Sequence, residues 1–142
     1  MKKRLIAFIT AFLCLFALFG CGGKKDMSFG TEADIDLTVL SATVAYAEVT
    51  AMFMRPEEYV GKTVKISGDY TSIYYDLTDS YYHYVAIEDA AACCSQGMEF
   101  VLGSGDYPQD GTRIEILGVF DIYEELGISY CYLEVQALTF VD

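Results

Sequence analysis

The chain has 142 residues, with twenty-one acidic residues against nine basic ones, one histidine, five cysteines and no tryptophan. Three of the basic residues, Lys2, Lys3 and Arg4, stand at the extreme N-terminus, and every acidic residue lies beyond Cys21. A chain cut at Cys21 therefore carries a formal charge of −15, which argues against a nucleic-acid partner, because phosphate backbones are held by clustered Lys and Arg.

The charged opening leads into an apolar run from Leu5 to Phe19, shorter than a membrane-spanning helix needs and ended by Gly20, Cys21, Gly22 and Gly23. This pattern predicts a cleaved signal peptide over residues 1–20. Leu18-Phe19-Gly20-Cys21 resembles the bacterial lipobox, although Phe19 stands where that motif prefers a small residue. The resemblance implies a diacylglycerol- and palmitate-type anchor on Cys21, with the remainder held at the extracytoplasmic face of the cell membrane. Residues 21–36, rich in Gly and charge, read as a flexible tether. The domain then covers 37–142.

From Leu37 to Met54 apolar side chains recur at three- and four-residue steps (Leu40, Val44, Ala47, Ala51, Met54). They predict one helix with Ser41 as N-cap, stopped by Pro56. The sequence then repeats itself. Gly61-Lys-Thr-Val64-Lys-Ile66-Ser-Gly68-Asp-Tyr70 and Gly111-Thr-Arg-Ile114-Glu-Ile116-Leu-Gly118-Val-Phe120 share a single pattern. Each predicts a strand with branched residues on one face and a bend at the internal glycine. Three further strands are expected. Tyr81 to Glu88 places Val85 and Ile87 inward, and Met98 to Leu102 is short and apolar. Tyr130 to Val141 sets Cys131, Leu133, Val135, Ala137 and Thr139 against Tyr130, Tyr132, Glu134 and Gln136.

Five short strands, the first and fourth bent, resemble the OB-fold, and the run Pro56 to Gly68 is similar to the entry strand of OB-type domains in exported bacterial proteins. The stretch Asp89 to Phe100 resembles a segment of exported lipoproteins of Gram-positive, clostridial-type bacteria. The likeness implies a mainly β fold, a five-stranded OB-like Greek-key barrel preceded by one N-terminal α-helix. It supplies a location but no substrate.

Cys93, Cys94 and Cys131 form the first candidate site. In an OB-type barrel strands three and five are parallel neighbours, so one of the adjacent pair can meet Cys131 as a disulfide, or all three can remain buried thiols or serve metal or redox chemistry. Metal is disfavoured, because His83 lies roughly 16 Å along its strand from the Cys93-Cys94 loop and the spacing is not C-x-x-C. His83 itself reads as a packing residue. The acidic turns at Asp76 and Asp79, Asp106 and Asp110, and Glu124 and Glu125 lack EF-hand spacing, so neither metal nor cofactor is expected. The second candidate is a tyrosine surface, Tyr82, Tyr84, Tyr130 and Tyr132, facing away from the apolar side of their strands.

No nucleophile stands beside a base, so no catalytic residue is assigned and the chain is not expected to be an enzyme. The expected role is a membrane-tethered binding or assembly module with a protein or glycan partner and without nucleic acid. The alternative is a thiol-dependent metal-handling or redox role through Cys93, Cys94 and Cys131.

Overall fold

A computed structural model describes residues 33–141; the expected signal peptide, Cys21 and most of the tether lie outside the described residues. Among the described residues no helix is long and apolar enough to cross a membrane. The fold is mainly β, with one helix, α1 (Ala42–Met54), and six strands: β1 (Ile35–Asp36), β2 (Thr63–Tyr75), β3 (Ser80–Glu88), β4 (Ser95–Leu102), β5 (Arg113–Glu125) and β6 (Ile128–Phe140).

The expected strand count of five is thus corrected to six. The added strand comes from the end of the expected tether, where Ile35 and Asp36 pair in parallel with Val64 and Lys65. Asp34 locks this edge, its carboxylate accepting from both the backbone N–H and the hydroxyl of Thr63 at 2.8 Å. Those bonds hold the Asp34 carboxyl below the ordinary carboxylate range.

The five longer strands pair in the order β2-β3-β4-β6-β5, and β5 returns to pair with β2. All contacts are antiparallel except that of β4 with β6. This order is OB-fold-like. The two repeated segments are partners in it: β2 and β5 run antiparallel with Ile66 opposite Ile116, Val64 opposite Gly118 and Gly68 opposite Ile114. The N–H of Gly61 donates to the carbonyl of Phe120, and that of Gly111 to the carbonyl of Tyr70, both at 2.8 Å. One local pattern therefore builds both halves of a nearly two-fold ladder.

From that ladder Val64, Ile66, Tyr70, Ile114, Ile116 and Phe120 point into the core, where Val85, Met98, Phe100 and Leu133 meet them. Full burial of each large apolar side chain is worth about 1.5–3 kcal/mol. The glycines in the repeat are required by close approach. A Cβ on Gly68 would land inside the carbonyl oxygen of Ala86 on β3, and one on Gly118 would sit 2.9 Å from the carbonyl oxygen of Glu134 on β6.

Two finer expectations change. Helix α1 begins at Ala42, after a 3-10 turn at Leu37–Val39, and Ser41 occupies the N-cap position without a side-chain capping bond. Its buried residues are Val49 and Met52, with Ala45 packed on the core, whereas Val44 and Met54 of the expected stripe are exposed. In ATVAYAEVTAMFM apolar side chains occupy every face, so spacing does not select one. Tertiary bonds do: Gln96 donates to Thr50 at 2.7 Å and the Tyr59 hydroxyl to Glu48 at 3.0 Å. On β6, a register shift opposite Leu117 and Gly118 reverses the alternation, leaving Ala137 and Thr139 exposed and packing Leu138 on the core.

Candidate functional site

Beyond Tyr70 and Phe120 the repeat ends, yet both strands continue for five residues, to Tyr75 and to Glu125. These extensions pair with β3 and β6 as two hairpin arms, with Ile73 opposite Tyr82 and Tyr123 opposite Tyr130. Ile73, Tyr75, Tyr82 and Tyr84 from one arm and Tyr123, Glu125 and Tyr130 from the other line a hollow of about 210 Å³. The arms are joined by the Tyr82 hydroxyl, which donates to Glu125 at 2.6 Å and lies 2.8 Å from the Thr78 hydroxyl.

At the base of this face lies Glu99 on β4, only 7% exposed, opposite Tyr84 on one side and Tyr132 on the other. The Tyr123 hydroxyl bonds to its two carboxylate oxygens at 2.9 and 3.1 Å. Burial raises the Glu99 carboxyl above its ordinary range, the Tyr123 bond opposes that, and the charge of Glu125 adds to it. The same burial pushes the Tyr84 phenol up to about 12, with Glu99 contributing, and raises Tyr123 as well. Tyr123 is the hub of the rings: it stacks on Tyr130 with centroids 5.4 Å apart and meets Tyr132 edge-on at 5.6 Å. Gly97 makes room, since a Cβ there would stand 3.2 Å from the Tyr84 side chain.

The structure thus places Tyr82, Tyr84, Tyr130 and Tyr132 on one outward face. It adds Tyr75, Tyr123 and Glu99, which sequence reading did not single out, and Glu125, which it read only as part of an acidic turn. Tyr123 and Glu125 were accessible by alternation, because two-residue steps set them on the strand face opposite to Phe120 and Ile122, which pack in the core. Glu99 was signalled only as the single charge within an apolar strand.

A second hollow, of about 460 Å³, adjoins the first where β3 and β4 part beyond the Tyr84–Glu99 pair. His83 stacks on Tyr107 with centroids 3.4 Å apart, and its Nδ1 lies 2.8 Å from the Tyr70 hydroxyl. Burial holds its pKa below the ordinary value, an effect that Asp110 opposes, so the ring is a neutral packing group at neutral pH. A larger cleft, about 540 Å³, lies beneath the start of α1, between Leu37, Ala42, Asp69 and Glu88. It gathers no aromatic face and no focused set of donors.

Of the readings open for the cysteines, a disulfide to Cys131 is not formed. Cys93 and Cys94 are exposed in the turn before β4, Cys131 is half-buried against the core in β6, and all three thiols are free. The parallel register, Glu99 opposite Tyr132, sets Cys131 level with Met98, four residues or about 13 Å along the strand from Cys94. Adjacency of the two strands did not bring the thiols together because the register offsets them.

No family model matches this chain, and no curated protein does. Among solved structures it is similar to the dimeric N-terminal domain of the PriB protein from Thermoanaerobacter tencongensis. That likeness has 13% identity and a TM-score of 0.40, over 56% of this chain and 96% of that one. The expected partner set, a membrane anchor with protein or glycan and without nucleic acid, is corrected in its exclusion of nucleic acid. The exclusion rested on a charge summed over the chain, and a sum does not describe any single face.

Proposed function

We propose that the chain is a tethered, extracytoplasmic ligand-binding module whose site is the tyrosine groove between its two hairpin arms. The observation that supports this reading is the hollow itself: tyrosine rings from both arms surround it, with the Glu125 carboxylate among them and that of Glu99 bonded to Tyr123 in the adjoining hollow. Stacked phenol faces take flat rings, and carboxylates and phenol oxygens take hydrogen-bond donors. The ligand in this reading is an oligomer of rings that carry hydroxyl or amino donors. On OB-fold-like domains such oligomers seat across the face formed by the second and third strands and the two hairpin loops that flank it, which here are β3, β4 and the arm tips.

The anchor in this reading is a lipid on Cys21, inferred from the lipobox-like tetrapeptide. Metabolic labelling with a palmitate analogue tests it: the label is retained by the parent and lost in Cys21→Ala.

The groove is tested by titrating the full chain with two panels, oligosaccharides and single-stranded oligonucleotides, following tyrosine emission. Binding from either panel that falls at least about tenfold in Tyr130→Ala and Glu125→Gln supports the reading, and the responding panel names the ligand class. Binding that survives both substitutions, or no binding in either panel, overturns it.

A further inference from the structure

Outside the groove, one cluster of chemically competent side chains stands in the turn between β3 and β4. We propose that Asp89, Cys93 and Cys94 form a binding site for one zinc-class divalent cation, held by two thiolates and a carboxylate with a fourth position open.

The geometry carries this. The two sulfurs lie 3.8 Å apart and the Cys93 sulfur lies 3.3 Å from an Asp89 carboxylate oxygen. One ligand atom from each of the three residues falls within 4.8 Å of the others. Two thiolates bound at about 2.3 Å to a tetrahedral centre stand about 3.8 Å apart, and a thiolate and a carboxylate oxygen about 3.6 Å apart. The Cys93–Cys94 and Cys93–Asp89 separations are within a few tenths of an ångström of these values, and the Cys94–Asp89 separation lies within 4.8 Å.

The turn is also built to hold its ligands in place. The Asp89 carboxylate accepts from the N–H groups of Ala91 and Cys93, both at 3.1 Å. The Asp89 N–H donates to the Cys94 carbonyl at 3.0 Å, and the chain reverses through Ala92 in a left-handed conformation, φ 51°. Adjacent cysteines in an extended strand project to opposite faces, whereas in this turn the sulfurs of Cys93 and Cys94 converge. Sequence reading discounted metal because His83 is remote and the spacing is not C-x-x-C. It did not count Asp89, four residues before Cys93, which supplies the third donor.

Thiolate sulfur with one carboxylate favours a borderline-soft ion such as zinc over calcium or magnesium, which take oxygen ligands. Binding is a ligand exchange with no change of oxidation state: the ion sheds water, the two thiol protons pass to solvent, and two metal–sulfur bonds form. The remaining position is taken by water or by an incoming donor, as in sites with three protein ligands. Cys131, half-buried and offset along β6, takes no part.

The test uses the full chain, reduced, in detergent, with Cys14 and Cys21 replaced by alanine so that three thiols remain. Zinc is titrated against a chromophoric chelator, and cobalt is added in parallel as a spectroscopic probe. The expected result is one ion per chain, with cobalt showing thiolate charge-transfer and tetrahedral bands. Affinity falls at least about tenfold in Cys93→Ser, Cys94→Ser and Asp89→Asn and is unchanged in Cys131→Ser. As a check independent of substitution, zinc slows alkylation of Cys93 and Cys94 and leaves that of Cys131 unaltered. Absence of one-to-one uptake, cobalt bands without thiolate character, or uptake that follows Cys131 overturns the proposal.

Discussion

The first and second halves of β2 and of β5 are built on different principles. Up to Tyr70 and Phe120 the two strands follow one pattern, pair with each other, and bury the same kinds of side chain at matched positions. After those residues, at opposite ends of their antiparallel ladder, the strands leave each other and share no pattern; Thr71–Tyr75 and Asp121–Glu125 bring Ile73, Tyr75, Tyr123 and Glu125 to the groove. The repeated half makes the scaffold, and the unrepeated half makes the groove proposed as the binding site.

The comparison is broken most severely at the matched core positions. Ile66→Ala and Ile116→Ala, both fully buried and directly opposed, should each cost about 3–4 kcal/mol, and by equal amounts if the ladder is two-fold in energy as well as in geometry. Gly68→Ala should follow at about 3 kcal/mol and exceed Gly118→Ala, because its Cβ meets backbone at a shorter distance. Urea denaturation of the four single variants and parent, with unchanged m-values, checks the ranking.

The site half is sharpened by Glu99. Its carboxyl is raised in the folded chain, so between its ordinary value of 4.5 and the raised value the unfolded chain ionises first and stability falls as pH rises. Below that window the contribution is fully present. Glu99→Gln should remove the slope and be the more stable chain at pH 7, while Tyr123→Phe, which strips the buried carboxylate of its donor, should cost about 1–2 kcal/mol. Thermal midpoints from pH 4 to pH 8 decide both; a Glu99→Gln chain that keeps the parent slope refutes the assignment. The smallest effect belongs to the arm tip: Tyr74→Phe, which removes the exposed bond to Asp79, should change stability by less than about 0.5 kcal/mol.

The scaffold was largely legible in the sequence and the site only in part, for the same reason. Gly61 to Tyr70 and Gly111 to Phe120 announce themselves because alternation, β-branching and glycine agree at every position. Helix α1 was legible as a helix but not as to its face, since its apolar residues surround the axis. Ile35 and Asp36 carry no strand signal of their own and are recruited by the Asp34–Thr63 bonds. The four named tyrosines followed from alternation. Glu99 and Asp89 did not, because an acid in a strand or turn ordinarily faces water, and only tertiary structure shows one buried beneath tyrosines and the other beside two thiols.

The pairing of β2 with β5 also bears on how the chain reaches this structure. The β2–β3 and β5–β6 hairpins can each form from neighbouring sequence, but Ile66 and Ile116 are separated by fifty positions, and joining them closes a long loop before any core contact rewards it. The meeting of the two repeated strands is then the slow, committing event of folding, and until it occurs both hairpins present apolar faces to their surroundings. That interval is when self-association competes with the native fold.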